Sequence, residues 1–158
     1  MVADIEAALK RQRILIVEDE PLIAVALEAM LLELGFDVVG SAAQVSAALE
    51  IIGREQIDGA ILDVNLGAQR IDPVADILAA RACPFFFTTG YDISGLPARH
   101  VARAVLQKPF GLEQLFAVLH AEFGSSIDDR GFTTDGTLSR GDRQLPACHA
   151  RGIPTPGP

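Results

Sequence analysis

The sequence predicts an α/β domain in which a parallel sheet is covered by helices on both faces. Two patterns predict it: five short apolar runs of the length and uniform apolarity of strands buried on both sides, and stretches of helical period between them. A spacing of roughly 20–25 residues per strand and helix makes the connections right-handed crossovers between parallel strands.

The first strand is Ile14-Leu15-Ile16-Val17. Pro21 suits the first turn of the helix that follows, Ile23, Leu27, Met30, Leu31 and Leu34 form its apolar stripe, and Gly35 suits the position just past its end. Val38-Val39 marks the second strand, and Ser41 followed by Gln44 has the form of a capping box. The next helix carries Val45, Ala48, Leu49 and Ile52 at i, i+3, i+4 and i+7. Ala60-Ile61-Leu62, Phe85-Phe86-Phe87 and Ala104-Val105-Leu106 supply the remaining strands, and Leu112, Leu115, Phe116 and Leu119 repeat the helical spacing at the end. Between the fourth and fifth strands, the stretch from Tyr91 to Arg103 is interrupted by Gly95 and Pro97 and keeps no clear period, which predicts a short or mobile fourth helix.

These patterns divide the chain into an N-terminal arm at 1–11, a folded domain at 12–124 and a tail at 125–158. In the arm, Ile5, Ala8 and Leu9 have helical spacing. The tail has nine Gly or Pro among 34 residues and only eight hydrophobic ones, too little apolar surface to offset its ordering entropy, so disorder is expected there. At 158 residues the chain is one domain's worth, and no apolar run approaches the ~18 residues that span a bilayer. The first ten residues resemble no signal or transit peptide, so a cytoplasmic protein without membrane partners is expected. Cys83 and Cys148 lack CxxC spacing, which argues against a disulfide scaffold or thiolate metal site and leaves two plain reduced thiols as the expectation.

The formal charge of −8 is unevenly distributed. Residues 14–124 hold 15 acids and 6 bases, or −9, whereas the two ends are close to balanced. Such a field repels a phosphate backbone and argues against nucleic acid as a partner, while it suits cations.

In a sheet of this kind, ligands bind beyond the carboxyl ends of the strands. The first strand runs into Glu18-Asp19-Glu20, the third into Asp63, the fourth into Thr88-Thr89-Gly90 and the fifth into Lys108-Pro109-Phe110. Taken singly, each has an ordinary explanation as a cap, a turn residue or a macrodipole complement. Lys108 is harder to set aside, being the only lysine after residue 10. Together these residues make a hard oxygen site suited to Mg²⁺, with an aspartate able to attack phosphorus and an ammonium and a hydroxyl to receive the charge of the transferred group.

With these four motifs, in this order and at these strand ends, residues 12–124 resemble the receiver domains of two-component response regulators. The resemblance implies a doubly wound, flavodoxin-like (βα)5 fold with a five-stranded sheet of order 2-1-3-4-5. It implies phosphorylation of Asp63 by a sensor histidine kinase or histidine phosphotransfer protein. Mg²⁺ would be held by Asp19, Asp63 and the backbone carbonyl of Asn65, with Glu18 reaching it through water. Thr89, directly before Gly90, would bond the phosphoryl group and Lys108 would pair with it. Thr89 is preferred to Thr88 because the family's hydroxyl residue directly precedes a small residue and strand neighbours point to opposite faces.

The chain departs from the common pattern in three places. Val105 stands where an aromatic is usual, Leu66-Gly67-Ala68 replaces the usual Pro-Gly, and Phe87-Thr88-Thr89-Gly90-Tyr91 resembles the subclass with a Phe-X-Thr-Gly-Tyr signature. Tyr91 is the candidate to take over part of the missing ring's role at 105, against a reading as a half-exposed loop aromatic. No output module is recognisable after Phe123, so the resemblance implies signalling through contacts with an output protein, or a phosphate shuttle or sink, without independent enzymatic turnover. Two alternatives are a pseudo-receiver that binds partners without phosphorylation and a Mg²⁺-dependent phosphatase with an aspartyl nucleophile. The second is disfavoured because the haloacid-dehalogenase pattern needs an acid where Asn65 stands.

Overall fold

The computed structural model describes residues 11–90 and 94–131, with side chains as far as Phe123. The five apolar runs become β1 (Arg13–Val17), β2 (Asp37–Ala42), β3 (Gly59–Asp63), β4 (Phe85–Thr89) and β5 (Val105–Gln107). They form one parallel sheet of order β2-β1-β3-β4-β5. Four α-helices lie among the described residues: α1 (Pro21–Glu33), α2 (Val45–Arg54), α3 (Asp72–Ala80) and α4 (Leu112–Gly131).

The strands are apolar throughout because each face of the sheet has its own core. Leu15, Val17, Leu62, Phe85 and Phe87 pack under Ala48 and Ile52 of α2 and Val74, Ala75 and Leu78 of α3. Ile14, Ile16, Ile61, Phe86 and Leu106 pack under Leu27 and Leu31 of α1 and Leu115, Leu119 and Phe123 of α4. Alternation along each strand therefore sorts its side chains into two layers. At the start of β1, Arg13 ties the sheet to the α2–β3 loop: its N–H donates to Asp58 at 2.9 Å, its Nε to the Gln56 carbonyl at 2.8 Å and its Nη2 to Glu55 at 2.8 Å.

Pro21 opens α1, and Gly35, at φ +97°, closes it in a Schellman motif with Phe36 N–H bonded to the Leu31 carbonyl at 2.9 Å and Gly35 N–H to that of Leu32 at 3.1 Å. The stripe read from sequence faces the core, but the opposite face of α1 is apolar too, with Leu22, Val25 and Leu32 exposed. Helix α3 ends in the same motif, with Cys83 N–H bonded to Leu78 and Ala82 N–H to Ala79, yet Ala82 occupies the left-handed position at φ +59°.

Several expectations need correction. The Ser41/Gln44 capping box does not form, because β2 continues through Ala42 and takes Ser41 into the ladder opposite Ile16. The first N–H of α2, on Val45, is instead satisfied by the side-chain carbonyl of Gln69 at 2.8 Å, from the β3–α3 loop. On α4, Phe116 is half-exposed and stacked on His120, and Val118 packs on the core with Leu115 and Leu119. Helix α4 continues past residue 124 to Gly131, bent at Phe123 (φ −119°, ψ 17°). Cys83, expected as a reduced thiol, is disulfide-bonded; separation along the sequence does not bound separation in space. Cys148, Tyr91, the arm at 1–10 and the tail beyond Gly131 lie outside the described residues. In the irregular stretch before β5, the described residues hold one 3-10 turn, Ala98–His100.

Candidate functional site

The strand ends build the site by continuing the ladder one residue beyond β1, β3 and β5. Glu18 N–H bonds the Ala42 carbonyl at 2.9 Å, Val64 N–H the Thr88 carbonyl at 3.0 Å and Lys108 N–H the Thr89 carbonyl at 2.7 Å. Period-2 alternation then carries Ile14 and Ile16 to Glu18, Ile61 to Asp63, Phe86 to Thr88 and Leu106 to Lys108, all on the face that packs α1 and α4. Below the edge this face is apolar, and at the edge it is charged.

Local hydrogen bonds turn the chain away from the sheet while leaving the carboxylates in place. Asp63 Oδ1 accepts the Asn65 N–H at 3.0 Å, and Glu18 Oε2 accepts the Glu20 N–H at 3.1 Å just before Pro21. Both are Asx-like turns that end a strand without burying an unpaired donor. The β3–α3 loop then turns tightly, with Gln69 N–H bonded to the Leu66 carbonyl at 2.9 Å and Gly67 at φ +59°. A Cβ on Gly67 would lie 3.9 Å from Asp19 Oδ2, so this loop forms a wall beside Asp19.

Carboxylate oxygens of Glu18, Asp19 and Asp63 lie within 4.8 Å of one another. Lys108 Nζ donates to Glu18 Oε1 at 3.0 Å and sits 3.4 Å from Asp63 Oδ2. The side chains of Glu18 and Asp63 are almost fully buried. Burial, and after it the charge of Asp63, pushes the Glu18 carboxyl up from its ordinary 4.5 to about 7, against the lowering effect of Lys108 and of the Glu20 N–H. Burial alone would lower the Lys108 ammonium, but the hydrogen bond to Glu18 and the charges of Asp63 and Glu18 hold it above its ordinary range. Two buried carboxylates on one ammonium, with the exposed carboxylate of Asp19 beside them, leave excess negative charge at this edge, and the donor set is oxygen alone. That is the chemistry of a hard divalent cation such as Mg²⁺, so the residues present fit the ion expected from the sequence.

The two threonines part company. Thr88 pairs in register with Asp63 and shares its face, whereas Thr89 follows Phe85 and Phe87 toward the α2 and α3 side. Both are buried. Gly90 stands at the β4 edge with open space where a side chain would be. Val105, on edge strand β5, is partly exposed and pairs with Phe87, so no ring stands at that position.

Sequence reasoning missed a second cluster. Asp76 on α3 takes a salt bridge from Arg99 and pairs with His100 Nε2 at 2.8 Å, while His100 stands edge-on to Phe85 at 5.6 Å. Arg103 lies over the same ring, its guanidinium carbon 4.0 Å from the centroid. These contacts pin the segment after Gly95 to α3 and β4. Asp76 and its partners lie 23 and 24 residues apart, and no spacing in the sequence announces the contact.

Residues 14–120 match the response regulator receiver domain. The chain belongs to that family. It is 38% identical over 110 residues to the phyllosphere-induced regulator PhyR of Methylorubrum extorquens, a match covering 67% of this chain and 41% of PhyR. It is 34% identical over 120 residues to the transcriptional regulatory protein PdtaR of Mycobacterium tuberculosis, covering 73% of this chain and 58% of PdtaR. The chain thus spans roughly half the length of these curated relatives. Among solved structures, SdrG of Sphingomonas melonis Fr1 superposes with a TM-score of 0.65 at 46% identity, covering 70% of this chain and 95% of SdrG. Membership agrees with the observed sheet order. Receiver domains generally bind Mg²⁺ in an acidic pocket, and Glu18, Asp19 and Asp63 make such a pocket here.

Proposed function

We propose that this receiver is phosphorylated on Asp63 by a sensor histidine kinase or histidine phosphotransfer protein, and that it signals through contacts with an output protein or passes the phosphoryl group on in a relay. The observation that carries the reading is a buried aspartate at a strand end, with an ammonium 3.4 Å from its Oδ2 and two further carboxylates clustered with it.

In the transfer, an Asp63 carboxylate oxygen attacks the phosphorus of phosphohistidine, an O–P bond forms, the P–N bond breaks and the imidazole nitrogen recovers its lone pair. Glu18, Asp19, Asp63 and the backbone carbonyl of Asn65 would hold Mg²⁺, which supplies positive charge for the phosphoryl oxygens. Lys108 pairs with the transferred group, and Thr89, which ends β4 with its side chain on the face opposite Asp63, offers it a hydroxyl by reaching over the strand end. Water later cleaves the acyl phosphate, so the chain turns over its own phosphoryl group and no separate substrate. The net −9 of residues 14–124 favours a protein partner over nucleic acid, and on this reading the protein would meet its kinase in the cytoplasm. A BeF3-activated conformation is known for SdrG, a chain matched over 93% of its length in that state. Such activation by a phosphoryl mimic supports the reading by analogy.

The output surface proposed is the pinned segment 94–103 with β5 and α4. Incubation with Mg²⁺ and a small acyl-phosphate donor is expected to give a base-labile phosphoryl group that Asp63→Asn abolishes. Label persisting in that variant, or none in the wild type from donor or kinase, refutes the site. Hydrogen exchange over 94–103 that stays unchanged on phosphorylation refutes the output surface.

A further inference from the structure

We propose that the Thr88 hydroxyl is a positioning group for Lys108, a seat for the ammonium when it leaves Glu18 for the phosphorylated Asp63. The inference rests on Asp63 being the phosphoacceptor. Three observations carry it. Thr88 pairs in register with Asp63 on one side and with Leu106, two residues before Lys108, on the other, so all four side chains belong to one face.

The path of Lys108 supplies the second. It leaves the sheet at the end of β5, yet its ammonium reaches Asp63 at the end of β3 and Glu18 beyond β1. Strand β4 lies between β5 and β3, and neighbouring strands are about 4.8 Å apart. The lysine stem therefore crosses the end of β4, where the residue on that face is Thr88.

The third is the state of the hydroxyl. Thr88 is 1% exposed and its carbonyl bonds the Val64 N–H, but Oγ1 is buried with no hydrogen-bond partner. Buried hydroxyls are nearly always bonded, so one left unpaired on the face that the Lys108 stem crosses calls for a second state in which it is used. An ammonium has three donors, and Glu18 and Asp63 account for two. As Lys108 follows the phosphoryl oxygens, it withdraws from Glu18 toward its own strand, over Thr88, and the hydroxyl accepts the N–H that Glu18 gives up. A bond from a charged donor is strong enough to set how long the phosphorylated arrangement lasts.

The test compares Thr88→Val, which keeps the shape and removes the hydroxyl, with Thr88→Ser, which restores it. Phosphoryl lifetime on Asp63 is expected to shorten about tenfold in Thr88→Val and to return to within about twofold of wild type in Thr88→Ser. The chain has only two lysines, Lys10 and Lys108, so selective ¹⁵N labelling gives a readout of the ammonium itself. On phosphorylation the Lys108 signal should shift in wild type and Thr88→Ser and shift differently in Thr88→Val, while the unfolding midpoint of the unphosphorylated Thr88→Val protein is not lowered. A lifetime and a Lys108 shift in Thr88→Val equal to wild type overturn the proposal while leaving Asp63 as the phosphoacceptor. A wild type that takes no phosphoryl group overturns both.

Discussion

Two regions of the molecule meet near β4 and are built on opposite terms. The acidic edge is positioned by backbone: strand register places Glu18, Asp63 and Lys108 on one face, and three inter-strand bonds of 2.7 to 3.0 Å extend the ladder to their level. The segment after Gly95 has one 3-10 turn and is held by side chains, through Asp76 from α3 and the Phe85 ring from β4. Under the proposed function, a site that presents a nucleophile at fixed distance is served by the first construction and a surface that changes shape by the second, because separate surface contacts are lost one at a time while a ladder yields as a unit.

The largest effect is expected at the charged edge. Glu18 has a folded-state pKa of about 7, above its ordinary 4.5. Its contribution to stability is therefore complete below the ordinary value and is lost as pH rises through about 7. Urea unfolding in metal-free buffer with a chelator should show stability falling from pH 5 to pH 8 by an amount on the order of 3 kcal/mol. Glu18→Gln should flatten that slope. Added Mg²⁺ should restore stability at pH 8 in the wild type, since the ion favours the charged form. A profile that does not distinguish wild type from Glu18→Gln would mean that the edge carries no such stress.

The frame beneath the edge gives the next effect. Gly59 opens β3, and a Cβ there would lie 2.8 Å from the Phe123 ring, which is itself buried at the bend of α4. Gly59→Ala should destabilise by about 2 kcal/mol through overpacking. Phe123→Leu in the same chain should recover part of the loss, and an additive double mutant would show that the two positions do not meet.

Most of the acidic edge could be read from sequence for the reason that makes it rigid. A strand buried on both faces is an unbroken apolar run, so its end is visible as the first charge, and Glu18, Asp63 and Lys108 stand at such ends. The fold was legible on the same basis, through period and through Pro21 and Gly35. What escaped was held by side chains across long separations: the Asp76 contacts, the capping of α2 by Gln69 in place of Ser41, and the Oγ1 of Thr88, whose pairing with Asp63 depends on register between strands. Ala82 escaped because its left-handed conformation carries no glycine to announce it.

Gly35 and Ala82 close α1 and α3 with the same hydrogen bonds, but only Ala82 bears a Cβ at positive φ. Ala82→Gly should raise stability by about 1 kcal/mol, read by denaturant unfolding, because relief of the left-handed strain exceeds the entropy glycine adds to the unfolded chain.

The smallest effect on stability is expected where the difference between the two regions is clearest. The Asp76 carboxyl is held below its ordinary range first by the His100 hydrogen bond and then by that of Arg99, so its contribution is present above the unfolded-state pKa and is lost as pH falls through the lower folded value. At neutral pH, Asp76→Asn removes the charge while keeping the shape. Because the contacts are on the surface, the global unfolding midpoint should scarcely move, yet amide exchange over 98–103 should quicken several-fold while exchange in β1 and β3 stays as it was. A loss of protection in β3 as large as that in 98–103 would show the segment to be part of the same cooperative frame as the acidic edge, and the division drawn between them would fall. Unchanged exchange in 98–103 would place its restraint on the Arg103 and Phe85 contact instead, and Arg103→Ala would then be the variant that frees it.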